Sequence, residues 1–280
     1  MIKPMLAIKA DQTKINFKHP VYIQPKLDGV RCLFTNKGAF SRSGKEFMNL
    51  NHIKKDLKKF FEQKPEVILD GELYNHELKN DFEKIISLVR KQKPTKKDRA
   101  EAKKLIQYHV YDYTSANPKL NLALYKQRQD NLTCSDIYGD HIKYVETRLI
   151  KSWRTVKIKH NAWKKLGYEG SIIRLNNTYK QKRANCLMKV KDFYDSEAII
   201  IGYEEGKGKR TDTLGKFIMQ DKKGIQFGCP PGKGFNYKKL KDILDNIDDY
   251  IGTLATFTYF ERTKAGSYRH PQFKAIRNYE

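Results

Sequence analysis

Along the first two thirds of the chain, strand-like apolar runs and runs of helical period follow one another. Residues 21–34 (VYIQPKLDGVRCLF) and 38–44 (GAFSRSG) read as two strands, with Asp28-Gly29 in or near a tight turn. Residues 49–61 carry Ile53, Leu57, Phe60 and Phe61 at helical spacing, with Asn49 or Asn51 as a cap. A strand over 67–74 precedes a helix over 81–91, where Phe82, Ile85, Ile86 and Val89 recur with helical period. The run 91–104 has almost no apolar residues and reads as a solvated excursion, in part helical. A strand over 106–114, helices over 122–132 and 155–167, and a strand over 170–175 complete this part.

After residues 187–195 the pattern changes. Short strands (AIIIGYEEGKGKRTD, GKFIMQ, GIQFGC, TLATFTYFER) alternate with Gly-rich turns, and one helix is expected over 237–250. Short strands plus one helix fit a small five-stranded barrel of a kind that binds nucleic acid. The boundary falls near Asp192, which gives domains at 1–192 and 193–280. No internal repeat is visible.

Composition adds a partner class. The chain's 280 residues hold 56 basic against 32 acidic side chains, a formal +24, while 39% hydrophobic and 12% aromatic content suffices for a folded core. A surplus of this size points to a polyanion, because each Lys or Arg near a phosphate releases condensed counterions. Cys32, Cys134, Cys186 and Cys229 are scattered with no C-x-x-C pair, so neither a zinc site nor a disulfide framework is expected. They read as free core thiols. No stretch approaches a membrane span, and the expectation is a soluble, cytoplasmic protein.

The candidate chemistry centres on Lys26-Leu27-Asp28-Gly29-Val30-Arg31. A lysine nucleophile must lose its proton, which desolvation or neighbouring cations assist. A strand end beside a glycine turn presents such a lysine and lets a phosphate approach the backbone. Alone, this hexapeptide is a weak signal and equally describes a surface hairpin. Further blocks follow in order: Asp70-Gly71-Glu72-Leu73, Tyr111-Asp112, Glu169-Gly170 leading into Ile172-Ile173-Arg174, and Lys189-Val190-Lys191. Lys189 and Lys191 alternate with Met188 and Val190, so the two lysines share one face of a strand.

Taken together, these blocks resemble the shared motifs of the covalent nucleotidyltransferases, the superfamily of ATP-dependent DNA ligases, RNA ligases and mRNA capping enzymes. The K-L-D-G-V-R form, with Ser41-Arg42-Ser43-Gly44 behind it and Lys3-Pro4-Met5-Leu6-Ala7 before it, looks specifically like a minimal viral or phage ATP-dependent DNA ligase. The resemblance implies an α+β fold. Its adenylation domain has antiparallel sheets with flanking helices, and a small OB-fold barrel follows.

It also implies roles. Lys26 would carry AMP. Gln24, Arg31, Glu72, Tyr111, Lys189 and Lys191 would bind the nucleotide, with Tyr111 stacking on adenine and Glu72 near the ribose. Glu72 and Glu169 would hold Mg²⁺, for which Mn²⁺ substitutes. Arg42, Arg174, Lys207, Lys209 and Arg210 would contact nicked duplex DNA, and Arg128 resembles a helical position near the nucleotide. The partner is DNA, with no membrane and no zinc, and the protein acts as a monomer in the host cell. A swing of the barrel about Asp192 is expected during the reaction.

Residues 258–263, then Arg269, His270 and Arg277, resemble the tail of small viral ligases. The superfamily's R-x-D-K element is absent, and Arg269 or Arg277 would replace it. His270, before Pro271, reads as a turn residue. The rival readings are an RNA ligase, a capping enzyme using GTP, and a binding protein that has kept the fold and lost the chemistry.

Overall fold

The segment 21–34 is divided at Asp28-Gly29, and its halves enter different sheets. β2 (Val21–Lys26) lies in one five-stranded sheet with β1 (Leu6–Lys9), β10 (Arg183–Val190), β9 (Gly170–Leu175) and β8 (Arg148–Ile150), in the order β1-β10-β9-β2-β8. β3 (Val30–Thr35) lies in a second, with β4 (Gly38–Phe40), β5 (Val67–Tyr74), β6 (Gln107–Ser115) and β7 (Ile142–Tyr144), in the order β4-β3-β5-β6-β7. The Lys26 strand therefore does not turn back on itself as a hairpin. Gly29 passes so close to β5 that a Cβ there would lie 2.4 Å from the Leu73 carbonyl oxygen, which excludes a side chain.

The computed structural model describes residues 3–277 except 116, 118–120, 136 and 264. The chain divides into two units, Met1–Lys191 and Asp192–Glu280. In the first, the sheets are antiparallel except at one edge of each, where β1 runs parallel to β10 and β7 parallel to β6. The antiparallel expectation is corrected to two mixed sheets.

Helices cover one face of the β3–β5–β6 sheet. The 49–61 pattern becomes two short helices, α1 (Asn51–Asp56) and α2 (Lys58–Gln63), joined at Leu57. With α3 (Phe82–Val89) and α4 (Lys96–Leu105) they bury Ile53, Leu57, Phe60, Ile85 and Ala102 against Cys32, Phe34, Leu69 and Leu73 of the sheet. Strand alternation turns Arg31, Asp70 and Glu72 to the opposite face. α4 arises in the run that lacks apolar residues because Thr95 and Asp98 form a reciprocal capping box, with Asp98 buried. α5 (Tyr125–Thr133) packs on β6, and α6 (Trp153–Lys165) buries Val156 and Trp163 against Ile23, Ile173 and Met188 of the other sheet.

The second unit is a five-stranded sheet, β13-β12-β11-β14-β17, built from β11 (Tyr194–Glu205), β12 (Leu214–Gln220), β13 (Gln226–Cys229), β14 (Leu254–Tyr259) and β17 (Gln272–Ile276). A bridge from Pro231 to Phe273 ties the segment just after β13 to β17 at the far edge. The core holds Ile200, Phe217, Phe257 and Phe273, closed over by α7 (Tyr237–Asp245). β15 (Glu261–Arg262) and β16 (Tyr268–Arg269) form a small hairpin that periodicity did not reveal. His270 follows it with a φ of 51°, as a turn residue.

Cys32, Cys186 and Cys229 are buried free thiols, whereas Cys134 is exposed at the end of α5 and is not a core residue. No helix among the described residues is long and apolar enough to cross a membrane.

Two half-buried histidines predict acid sensitivity. Burial pushes both His52 and His109 down from 6.5 to about 4. Between those values the unfolded chain binds protons that the folded chain does not, so stability falls as pH falls through this window. The melting temperature is expected to drop by several degrees from about pH 7 to about pH 5, and less so in the double variant His52→Gln/His109→Gln. Equal pH slopes for the two proteins would discard this account.

Candidate active site

Lys26 ends β2, opposite Gly170 in the pairing with β9. Gly170 has a φ of 155°, and a Cβ there would lie 2.3 Å from the Val190 carbonyl oxygen, so glycine permits β10 to approach. Glu169, 7% exposed, donates its backbone N–H to the Lys26 carbonyl at 3.0 Å. Its carboxylate is paired on one oxygen with the Lys26 ammonium and on the other with that of Lys191. Burial alone would push this carboxyl up, but the two ammonium groups outweigh it and hold the carboxyl below its ordinary value.

Beside this triad lies a cavity of about 270 Å³ lined by Gln24, Lys26, Arg31, Arg42, Glu72, Tyr111, Arg174, Arg183 and Lys189, with Ile172 and Leu187 as apolar wall. Burial, followed by Lys191, Lys26 and Arg183, presses Lys189 below the ordinary lysine range. Cations crowded until one of them is destabilised mark a place where a polyanionic ligand gains most. Glu72 stands opposite. Burial pushes it up to about 8, against the pull of Lys26 and Arg31. The Tyr111 hydroxyl donates to Glu72 at 3.4 Å, and the guanidinium carbons of Arg31 and Arg174 lie 5.7 and 5.1 Å from its ring centre.

Two buried acids hold these groups in place. Asp70 accepts both Nε and Nη2 of Arg31, at 2.9 and 2.5 Å, and the Tyr179 hydroxyl at 2.6 Å. Asp112, fully buried, accepts Nε and Nη2 of Arg128 at 2.7 and 3.1 Å and Nη1 of Arg174 at 2.7 Å. Arg174 Nε in turn donates to Gln24 Oε1 at 2.7 Å, and Gln24 Nε2 to Thr147 at 2.8 Å. β6 bulges at Tyr111, opposite the step from Asp70 to Gly71, and a Cβ on Gly71 would lie 2.6 Å from both the His109 carbonyl oxygen and the Tyr108 ring. Gly71→Ala is expected to cost about 1–3 kcal/mol through overpacking. Urea denaturation measures it, and a loss within error would mean that the bulge relaxes freely.

Residues 4–191 match the family model of the ATP dependent DNA ligase domain. The chain belongs to the ATP-dependent DNA ligase family. Residues 205–277 match the DNA ligase OB-like domain, so the second unit is the ligase OB-like domain. Two curated ligases are similar in sequence. The DNA ligase of African swine fever virus (strain Badajoz 1971 Vero-adapted) is 28% identical over 207 residues, spanning 66% of this chain and 45% of the viral protein. The DNA ligase of Enterobacteria phage T4 is 24% identical over 303 residues, spanning 89% of this chain and 62% of the phage protein. The chain therefore matches less than two thirds of either relative's length. Among solved structures, a Lig E DNA ligase shares the fold with a TM-score of 0.82 at 22% identity, covering 99% of this chain and 100% of that one.

Within this ligase fold, Gln24, Lys26, Arg31, Arg42, Glu72, Tyr111, Arg174 and Lys189 surround one cavity, with Glu169 and Lys191 joined to it through Lys26. Arg174 corrects the expectation of a DNA-backbone contact: it is 3% exposed and ion-paired beneath Tyr111. Arg128, which resembles a helical position near the nucleotide, is 1% exposed and clasps Asp112. Lys207, Lys209 and Arg210 are exposed in the OB-like domain, at a turn of 3-10 helix. Arg269 pairs with Glu261, and Arg277 with Glu197 at 2.5 Å.

Sequence reasoning missed Arg183 and Tyr179, and it quoted Asp70 within a block without giving it a role. The one available signal was Asp70 directly after the apolar run Val67-Ile68-Leu69, since a buried carboxylate requires a partner.

Proposed function

We propose that this chain seals nicks in duplex DNA with ATP, acting as a monomer. The observation that carries the reading is Lys26 at the cavity wall, joined through Glu169 to Lys191. In the first step the Lys26 amine attacks the α-phosphorus of ATP. The N–P bond forms, the bond to the bridging oxygen breaks, and pyrophosphate leaves. The ammonium must first shed a proton, which passes to water, while Glu169, hydrogen-bonded to it, orients the amine. In the second step an oxygen of the nick's 5′-phosphate displaces Lys26 from the adenylate phosphorus. In the third the 3′-hydroxyl attacks the 5′-phosphorus and AMP leaves.

The surrounding side chains have parts consistent with this sequence. Tyr111 offers its ring to adenine and Glu72 its carboxylate to the ribose. Lys189 and Lys191 meet the charge that develops on the α-phosphate. Arg31 is directed to the ribose side, and Arg42, at the exposed rim, to the 5′-phosphate. Gln24 acts through Arg174, to which it is bonded. Lys207, Lys209 and Arg210 suit sequence-independent phosphate contact.

Mg²⁺ fits the donor set. It takes one or two carboxylates and keeps water and substrate phosphate as its other ligands, and Glu72 and Glu169 are the carboxylates available. When bound, it would neutralise phosphate charge.

The test is incubation with Mg²⁺ and α-labelled ATP or GTP, then a chase with nicked duplex. Covalent label from ATP that vanishes on adding the nick supports the reading. Label from GTP moves the chain to the capping enzymes. Absence of label from either, together with no single-turnover sealing in the absence of ATP, would overturn it.

A further inference from the structure

The helices α1, α2 and α4 lie on the face of the β3–β5–β6 sheet opposite Arg31, Asp70 and Glu72, so nothing bound in the active-site cavity reaches them through the sheet. Residues 51–64 and 91–104 hold twelve basic and four acidic residues, a net +8 out of the chain's +24. All four acids are already engaged. Asp56 accepts from His141 at 2.8 Å, Glu62 faces Lys58 at 3.8 Å, Asp98 caps α4 and pairs with Lys91 at 2.5 Å, and Glu101 pairs with Lys84 at 2.5 Å. Lys55, Lys59, Lys97, Lys103 and Lys104 are exposed and, among the described residues, have no carboxylate within ion-pair distance.

Where α1 and α4 meet the turn before β7, Lys55, Arg99 and Lys103 line a cleft of about 460 Å³, together with Asp140 and with Asp56, which His141 engages. Like charges are thus gathered on one surface, at a cost in mutual repulsion that an anionic partner removes.

We propose that this helical face is a second binding surface for the sugar–phosphate backbone of nucleic acid, separate from the site around Lys26. The inference rests on the reading of the chain as an enzyme of nucleic acid and adds a contact surface that its chemistry does not require. A protein partner fits less well. Stable protein interfaces bury aromatic or aliphatic anchors, and within 48–64 and 91–105 only Met48 is an exposed large hydrophobic residue. Flexible lysines without apolar anchors match a backbone that is read for charge alone.

Salt titration of duplex binding by the full chain tests this. The variant Lys55→Gln/Lys97→Gln/Lys103→Gln/Lys104→Gln is compared with a control of equal charge on and just before α6, Lys151→Gln/Arg154→Gln/Lys157→Gln/Lys165→Gln. Affinity for an intact duplex is followed by fluorescence anisotropy. The slope of log affinity against log salt is expected to fall by about 3 to 4 in the helical-face variant and to change little in the control. Formation of the covalent adduct with labelled ATP, without DNA, is expected to be unchanged in both. An unchanged slope, or an equal fall in the control, would overturn the proposal, the latter assigning the effect to bulk charge. Failure of the wild-type chain to form the adduct would count against the ligase reading, while the salt slope would still report on this surface.

Discussion

Replacement of Lys26 by alanine is expected to abolish the covalent nucleotide adduct and to lower ATP-driven sealing by at least about four orders of magnitude. The amine is the atom that forms and breaks the bond to phosphorus, and no neighbouring side chain can stand in for it. Lys189 stands on β10, beyond the intervening β9, and Lys191, just past the end of β10, is held by Glu169.

Lys26→Arg is the sharper control. It keeps a cation for Glu169, yet a guanidinium remains protonated and cannot attack. Both variants should still join a nick that already carries AMP on its 5′-phosphate, because that step uses the 3′-hydroxyl and leaves the lysine idle. Gel assays with labelled ATP and with a pre-adenylylated nick measure the two reactions. An adduct of normal yield in Lys26→Ala would move the nucleophile elsewhere and remove the basis of the proposed chemistry.

Asp112→Asn is expected to destabilise the first unit by about 3–5 kcal/mol, the cost of leaving buried charge without its partner. For a unit of this size that is a drop of roughly 6 to 20 °C in melting temperature. The neutral amide keeps the shape but leaves Arg128 and Arg174, 1% and 3% exposed, without a counter-charge. Arg128→Met should cost less, since Asp112 would keep Arg174.

Nucleotide affinity should fall in Asp112→Asn beyond what unfolding explains. Arg174 lies 5.1 Å from the Tyr111 ring centre, and it also orients Gln24. Thermal melts and nucleotide titrations below the transition separate the two effects. A melting temperature within about 2 °C of the parent would mean that the buried triad is not holding this side of the site.

Much of the site was legible because its chemistry is carried by short local blocks. Lys26, Glu72, Tyr111, Glu169, Lys189 and Lys191 each stand beside a glycine, at a strand end or on an alternating strand face, and these are local features. The elements around them were legible for the same reason. β5 and β9 occupy the expected residues 67–74 and 170–175. Arg174 was misplaced because the acid that buries it is distant in sequence, 62 residues away. A charged side chain reads as exposed until its partner is known.

The sequence by itself determined which chemistry-bearing residues the chain holds, the order in which they appear, and the strand and helix faces on which they stand. Periodicity of 2 or 3.6 residues is written into neighbouring positions, so it survives without knowledge of the fold. The tertiary structure decided the pairings. It sent the two halves of 21–34 into different sheets, brought Arg128 and Arg174 onto Asp112, and joined Lys26 to Lys191 through Glu169. It also turned the polar run 91–104 into a capped helix beside α1, gathering its lysines on the face opposite the active site. Each of these depends on burial and charge matching between residues far apart in the chain. A local pattern specifies which face is apolar and leaves open what that face will meet.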